Sequence, residues 1–319
     1  MENIAFFNAD FIESNTNFKE LIARLKSGFS EKKTLVPMRH HHDFPNPSAG
    51  KDSTLLLMPA WNPSDDAGVK IVTISPENTK YDLPSIQGTY IYLDSKTGVI
   101  KGLLEAKALT TKRTAATSAL ASTFLSKKDA DSLLMIGTGA LSVNLIQAHA
   151  SVRPIKNVFV WGRNFKKAQA ICNQLSNKPY TCTPIEHISK VISSVDIISC
   201  ATLSETPLVL GDELVPGQHI DLVGAYKPTM READNATVLK SDVYVDTYEG
   251  GLKESGDIAI PLKKNIISVS DIKADLFELC GNKKSGRTSE KTITMFKSVG
   301  HALEDLVAAR YYFNLKKDA

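Results

Sequence analysis

Leu133-Leu-Met-Ile-Gly-Thr-Gly-Ala-Leu-Ser142, followed by Val158-Phe-Val-Trp-Gly-Arg-Asn164, decides the fold of this chain. The first stretch reads as a short apolar strand that breaks into a glycine-rich turn and then a helix. The second reads as another strand, ending about 25 residues after the first glycine, where a dinucleotide-binding unit meets the adenosine ribose. Gly137 permits the tight turn. Gly139 lets the backbone approach a pyrophosphate at the helix N-terminus, where N–H groups and the helix dipole favour anions. Ser142 takes the third glycine position and is small enough for close helix–strand packing. An ordinary strand–helix turn of an α/β domain is the alternative, but strand, loop, helix and second strand follow here in the required order.

The end of the second strand bears on the cofactor. An acidic side chain there would bond the ribose hydroxyls and favour NAD. This chain has Arg163 and Asn164 instead, with Lys166 and Lys167 just after. Cations and amides suit a 2′-phosphate, so NADPH is the preferred cofactor expected, with NADH second. The same residues would also serve as solvated side chains at a loop and helix start.

A chain of 319 residues can bury a sizeable core and is expected to hold two domains. A hydrophobic content of 42% and a net charge of +3 fit an ordinary globular protein, with no Arg/Lys stripe to argue for nucleic acid or membrane. No apolar run is long enough to span a bilayer, and the Met-Glu-Asn-Ile start lacks a signal-peptide pattern, so a cytoplasmic location is expected. Cys172, Cys182, Cys200 and Cys280 form no metal-spaced set and read as reduced thiols.

Residues 18–29 have the spacing of an amphipathic helix, with Leu21, Ile22 and Leu25 on one face. Strand-like runs follow at 53–58, 69–74 and 89–93, separated by turns such as Pro45-Asn-Pro47, Pro63-Ser-Asp-Asp66 and Asp94-Ser-Lys-Thr-Gly98. This predicts an α+β unit on an antiparallel or mixed sheet. An Ala-rich helix capped by threonine is expected at 111–125. Beyond it, strands at 133–136, 157–161, 197–200, 219–222 and 243–245 alternate with helices, which implies a doubly wound parallel sheet of Rossmann type. Residues 292–312 show helical spacing at Phe296, Val299, Leu303, Leu306 and Val307, with Lys297-Ser-Val-Gly300 opening the helix.

Several polar residues need explaining. Lys70 lies within Val69-Lys-Ile-Val-Thr73, and composition alone favours its exposure over a pocket. Arg113 stands at the junction of the two expected domains, where ligands often bind and where a salt bridge would serve as well. Arg39 precedes His40-His-His42 and Asp43; three adjacent histidines cannot all face one ion, so the segment reads as a loop and no metal is expected. Tyr226 and Lys227 follow a strand of the nucleotide domain, where loops face the ligand crevice, though a plain strand-to-helix turn closed by Pro228 fits too.

These pieces assemble into a pattern. Along most of its length the chain resembles the ornithine cyclodeaminase/mu-crystallin family, through Pro37-Met-Arg39, Met58-Pro-Ala60, Gly68-Val-Lys70, Pro76-Glu-Asn78, Leu109-Thr110 and Arg113-Thr-Ala-Ala116. The resemblance continues through Gly137-Thr-Gly-Ala140, Ser255-Gly-Asp257, Thr294-Met-Phe-Lys-Ser-Val-Gly300 and Ala302-Leu-Glu-Asp-Leu306. It implies a Rossmann domain (116–291) and an N-terminal α+β substrate-binding and dimerisation domain (1–115 with 292–319), in a homodimer. It also implies that Arg39, Lys70 and Arg113 hold a substrate α-carboxylate, which reverses the composition-based preference for an exposed Lys70. Cofactor contacts are expected at Thr114, Gly137, Thr138, Gly139, Ala140, Leu141, Trp161, Gly162, Arg163, Asn164, Lys167, Ala201, Thr202, Val223, Gly224 and Gly300.

One departure separates members of the family. Ornithine cyclodeaminases carry an aspartate, assigned as general acid/base, where this chain has Tyr226. A phenol with an ordinary pKa near 10 is a poor base at neutral pH. The resemblance is therefore to Δ1-pyrroline-2-carboxylate (ketimine) reductases, with Lys70 and Tyr226 as the expected catalytic residues and a small cyclic imino acid as substrate. Ornithine cyclodeaminase, alanine or opine-like dehydrogenases and a mu-crystallin-like NADPH-binding role are the rival expectations.

Overall fold

The computed structural model describes residues 4–317. Residues 1–3, read above for a leader, and residues 318–319, at the end of the first expected domain, lie outside the described residues. The chain divides into two units, one running to Arg113 and resuming at Ala302, the other spanning Thr114–His301.

In the first unit, β1 (Ala5–Phe7), β2 (His40–Phe44), β3 (Ser53–Trp61), β4 (Asp66–Ile74), β5 (Ile86–Asp94) and β6 (Ile100–Glu105) form one mixed sheet. Its order is β1-β6-β5-β4-β3-β2, with β1 parallel to β6 and the other neighbours antiparallel. Period two puts Asp66, Gly68 and Lys70 of β4 on the buried face and leaves Val69 and Ile71 half-buried on the other. Lys70 is 3% exposed. The preference for exposure that composition gave is thus overturned, because here Asp66 and Lys70 face inward. The histidine run is likewise no loop: His40–Phe44 is an exposed edge strand paired with β3, so successive histidines point to opposite faces.

Helices α1 (Ala9–Ser14) and α2 (Phe18–Glu31) precede the sheet's main strands, and α3 (Ala106–Leu125) follows them. On α2, Phe18, Leu21, Ile22, Leu25 and Phe29 form the buried stripe, and the Asn17 side chain caps the first turn. The α3 helix starts five residues before the expected Thr111. Its cap is Glu105, whose carboxylate accepts from the N–H groups of Lys107 and Ala108 at 3.0 and 2.6 Å, and not a threonine.

In the second unit, β7 (Ser132–Ile136), β8 (Asn157–Trp161), β9 (Thr181–Ile185), β10 (Ile197–Cys200), β11 (His219–Leu222), β12 (Ser241–Val245), β13 (Ile272–Asp275) and β14 (Ile293–Lys297) are parallel. Their order is β13-β12-β14-β11-β10-β7-β8-β9. The chain winds outward from β7 through β8 to β9, then restarts on the other side at β10. The topological switch point therefore lies between β7 and β10, where open α/β sheets bind ligands. Every residue of β7, β10, β11 and β14 is buried, as strands covered on both faces require. The connecting helices are α4 (Ser142–Val152), α5 (Phe165–Gln174), α6 (Asn235–Lys240), α7 (Tyr248–Gly251), α8 (Gly256–Lys263) and α9 (Leu276–Cys280).

The largest departure from expectation is β14. Residues 293–297 are a strand between β11 and β12, not the start of a helix. Residues 292–301 therefore belong to the second unit. The helix α10 (Ala302–Lys317) begins only after Gly300, whose φ of 84° breaks the chain direction. Within the first unit α10 packs on α2 and on β3, β4 and β5.

Candidate functional site

The loop after β7 has the shape that its glycines imply. Gly137 has a φ of 122°, and a Cβ there would meet the Ala201 carbonyl oxygen at 2.5 Å. Its N–H donates to the Trp161 carbonyl and the Ala201 N–H to the Ile136 carbonyl, at 2.8 and 2.9 Å, so the turn is laced to the ends of β8 and β10. The Ser142 hydroxyl donates back to the Gly137 carbonyl at 2.9 Å, locking the start of α4 to the loop. Gly139 faces open space where a side chain would be. Leu141, at the N-cap of α4, has no side-chain acceptor to offer the first turn. An open glycine before a helix N-terminus without a side-chain cap fits the pyrophosphate of a dinucleotide.

The remaining expected cofactor residues of this unit fall into two groups. Thr138, Ala140, Gly162, Arg163 and Lys167 line the loops after β7 and β8, with Arg163 and Lys167 exposed. Asn164 is exposed too, but its side-chain oxygen caps α5 by accepting from the Lys166 N–H at 3.0 Å. Trp161 is half-buried, its Nε1 donating to the Glu186 carbonyl at 3.0 Å. The second group, Ala201, Thr202, Val223, Gly224 and Gly300, follows β10, β11 and β14, while Thr114 is buried in α3.

A buried charge network that the sequence did not reveal holds this second group. Lys297, at the end of β14, is fully buried; its Nζ lies 3.1 Å from Asp257 and 3.8 Å from Glu232 and donates to the Gly224 carbonyl. Glu232 accepts from the N–H and hydroxyl of Thr202 at 2.6 and 2.9 Å. Burial pushes the Glu232 carboxyl up to about 7, against the pull of Lys297. The loops after β10 and β11 also touch directly, since the Ala225 N–H donates to the Thr202 carbonyl at 3.0 Å. Farther along, Asp246 accepts from the N–H groups of Val299 and Gly300, both at 2.7 Å. Tyr226 follows the strained Ala225 (φ 48°) and is 38% exposed, with the Lys227 ammonium 6.0 Å from its ring centre.

The first unit carries a separate cluster of charge. Lys70 Nζ is 2.8 Å from Asp305 Oδ2, and Arg113 donates from Nε to Asp305 at 3.0 Å and from Nη1 to Glu304 at 2.5 Å. All four side chains are buried. Arg39, half-buried, acts on both Lys70 and Asp305 through its charge. Burial pushes Lys70 down to about 8, against the attraction of Asp305. Burial would raise the Asp305 carboxyl, but Arg113 and Lys70 overcome it and hold the carboxyl below its ordinary value. The expected trio is thus brought together, with two carboxylates from the first turn of α10 that sequence reasoning missed. Asp305 thus feels all three cations, and Glu304 pairs with Arg113.

Two other arrangements are not sites for this chemistry. Ser199 and His149 both bond the same oxygen of Asp221, at 2.7 and 3.1 Å in a fully buried cluster, so the histidine does not activate the serine. A cavity of about 620 Å³ lined by Arg24, Asn62, Arg310 and Tyr311 includes none of Arg39, Lys70 and Arg113.

The sequence profile of the ornithine cyclodeaminase/mu-crystallin family matches residues 3–318. The chain is 37% identical over 305 residues to a Delta(1)-pyrroline-2-carboxylate reductase of Colwellia psychrerythraea, covering 95% of this chain and 96% of that one. It is similar, with a TM-score of 0.91 and 32% identity over 99% of both chains, to the structure of Thermococcus litoralis Delta(1)-pyrroline-2-carboxylate reductase in complex with NADH and L-proline. An archaeal alanine dehydrogenase dimer with bound NAD is 25% identical, with a TM-score of 0.89 over 99% of this chain and 97% of that one.

Proposed function

Because the chain belongs to the ornithine cyclodeaminase/mu-crystallin family, we propose that it is an NAD(P)H-dependent reductase of cyclic imino acids. Its substrates are Δ1-pyrroline-2-carboxylate, reduced to L-proline, and the six-membered homologue, reduced to L-pipecolate. The observation that carries this is the convergence of Arg39, Lys70 and Arg113 on Asp305, three cations of the kind that would hold a carboxylate. When bound, the nicotinamide supplies hydride to the C=N carbon. Arg39, Lys70 and Arg113 clamp the neighbouring carboxylate and so fix that carbon in place. Asp305 and Glu304 hold Lys70 and Arg113 in position before substrate arrives. The Tyr226 hydroxyl, exposed after β11, and solvent are the proton sources. The same tyrosine disfavours cyclodeamination, which needs a base that a phenol does not supply at neutral pH.

Oxidation of NADPH and NADH should be followed with both imines, with ornithine tested in parallel for ammonia release. Imine-dependent oxidation without ammonia from ornithine is the expected result. Ammonia release with catalytic NAD would instead identify a cyclodeaminase, and binding of NADPH without turnover a ligand-binding role. NADPH preference rests on Arg163 and Lys167 at the end of β8 and the start of α5. Arg163→Ala is expected to raise KM for NADPH roughly tenfold or more, as loss of a charge-assisted bond implies, and to spare NADH. An unchanged ratio between the two cofactors removes the 2′-phosphate contact.

Lys70 adds a pH dependence. Its ammonium is present below about pH 8 and is lost above it, so kcat/KM should fall as pH rises through that value. The alkaline limb should move up or vanish in Lys70→Arg, whose guanidinium stays charged. A limb unmoved in that variant dismisses Lys70 as its source. A homodimer is proposed from the half-buried face of the first sheet, where Leu57, Val69, Ile71, Ile91 and Leu103 line up outward; monomeric mass by light scattering would contradict it. No helix among the described residues is long and apolar enough to cross a membrane. A cytoplasmic location is proposed, to be checked by cell fractionation.

A further inference from the structure

Cys172 stands in the last turns of α5 and Cys182 in β9, the edge strand of the second unit's sheet. Their sulfurs are 2.7 Å apart, the Cys182 thiol donating to Cys172. That is closer than two thiols ordinarily approach without bonding, and a small movement away from a disulfide of about 2.05 Å. The helix and strand carrying them pack together along their length. Cys182 is partly exposed and Cys172 lies just beneath it.

We propose that Cys172 and Cys182 form a thiol-oxidation site that closes to an intramolecular disulfide under hydroperoxides, stapling β9 to α5. The expectation of four independent reduced thiols is thereby refined for this pair. The hydrogen bond from Cys182 holds the Cys172 thiol below its ordinary value, and the same bond with burial raises Cys182. Cys172 is therefore the attacking thiolate. Its sulfur takes the distal oxygen of a hydroperoxide, becoming a sulfenic acid while hydroxide leaves, or alkoxide from an organic hydroperoxide. The Cys182 sulfur then attacks the Cys172 sulfur, and the S–O bond breaks as the S–S bond forms. The first leaving hydroxide or alkoxide takes up the proton lost by Cys172, and the hydroxide of the sulfenic acid takes up the Cys182 proton. Two thiols and hydrogen peroxide thus give one disulfide and two waters, or with an organic hydroperoxide one water and one alcohol. Burial keeps Cys200 out of this chemistry by holding its thiol well above the ordinary range. The staple changes the anchoring of α5, whose first turn presents Lys166 and Lys167.

The test uses the folded full-length chain, reduced, freed of reductant and exposed to hydrogen peroxide. Remaining thiols are then blocked with maleimide and the protein is digested with trypsin. Lys178 precedes Pro179 and resists cleavage, so both cysteines travel on one peptide, residues 168–190. The expected product is that peptide lighter by two hydrogens and carrying no maleimide, restored by reductant. Cys182→Ser should instead leave a sulfenic acid on Cys172, trapped by dimedone. Two maleimides on the wild-type peptide after peroxide, or independent oxidation of each sulfur to a sulfinic acid, would overturn the proposal. The wild-type readout stands even where a variant folds poorly.

Discussion

Arg113→Ala is expected to leave no measurable imine reduction and to cost roughly 3–5 kcal/mol of stability, the range for breaking a buried ion pair from one side. Arg113 gives one bond to Asp305 and one to Glu304, and all three side chains are buried. Without it Asp305 and Glu304 remain in the interior without the guanidinium that pairs with both, and one of the three cations that would draw a substrate carboxylate is gone. Loss of the carboxylate clamp should raise KM at least a hundredfold, since charge-assisted bonds of this kind contribute about 1.5–3 kcal/mol each and two cations are affected. Urea denaturation separates the two effects. NADPH binding followed by fluorescence checks the cofactor site proposed on the second unit, and retained binding with lost turnover is the expected pattern. Near-normal kcat/KM in this variant would sink the substrate assignment.

The cluster around Arg113 shows how far the sequence could be read. Lys70 looked solvated because composition alone favours exposure of a lysine, yet a strand has two faces and the apolar Val69 and Ile71 of β4 took the half-buried one. Resemblance grouped Lys70 with Arg39 and Arg113, and the structure places the three close together, but nothing in the sequence announced Asp305 and Glu304 as their counterions. Acidic residues at the first turn of a helix are ordinary there. What makes these two unusual is that both are fully buried, and burial is a tertiary property.

The nucleotide unit was more legible because its signal is local. Strand, glycine turn and helix are contiguous in the chain, and the strands at 157–161, 197–200 and 219–222 are placed residue for residue. The strands that escaped notice have physical reasons. β9 contains Pro184 and is an edge strand, where a missing N–H is tolerated. β14 is a short apolar run, ambiguous between helix and strand, and the helical spacing assigned to it joined strand, loop and helix into one false period. Its misassignment also hid the role of Lys297, which was read only as part of the segment opening a helix.

Lys297→Met is expected to cripple cofactor binding and to lower stability by roughly 3–5 kcal/mol, again by stranding buried charge. Lys297 is the nearest cation to Asp257 and Glu232 in that network and also holds the Gly224 carbonyl. Glu232 in turn holds Thr202, so the lysine ties together the loops after β10 and β11 that the cofactor reading needs in register. The pH dependence gives a second readout. Glu232 has a folded-state value raised to about 7 from 4.5, so the folded chain binds the extra proton, and this group's contribution to stability is lost as pH rises from about 4.5 through 7. Removing Lys297 takes away the charge that opposes the rise. The loss should then extend to higher pH, and Glu232→Gln should abolish it. Urea unfolding of the three proteins between pH 5 and 8, with NADPH affinity measured on each, checks the chain of dependence. A Lys297→Met protein with wild-type cofactor affinity and an unmoved pH profile would show that the network is packing alone.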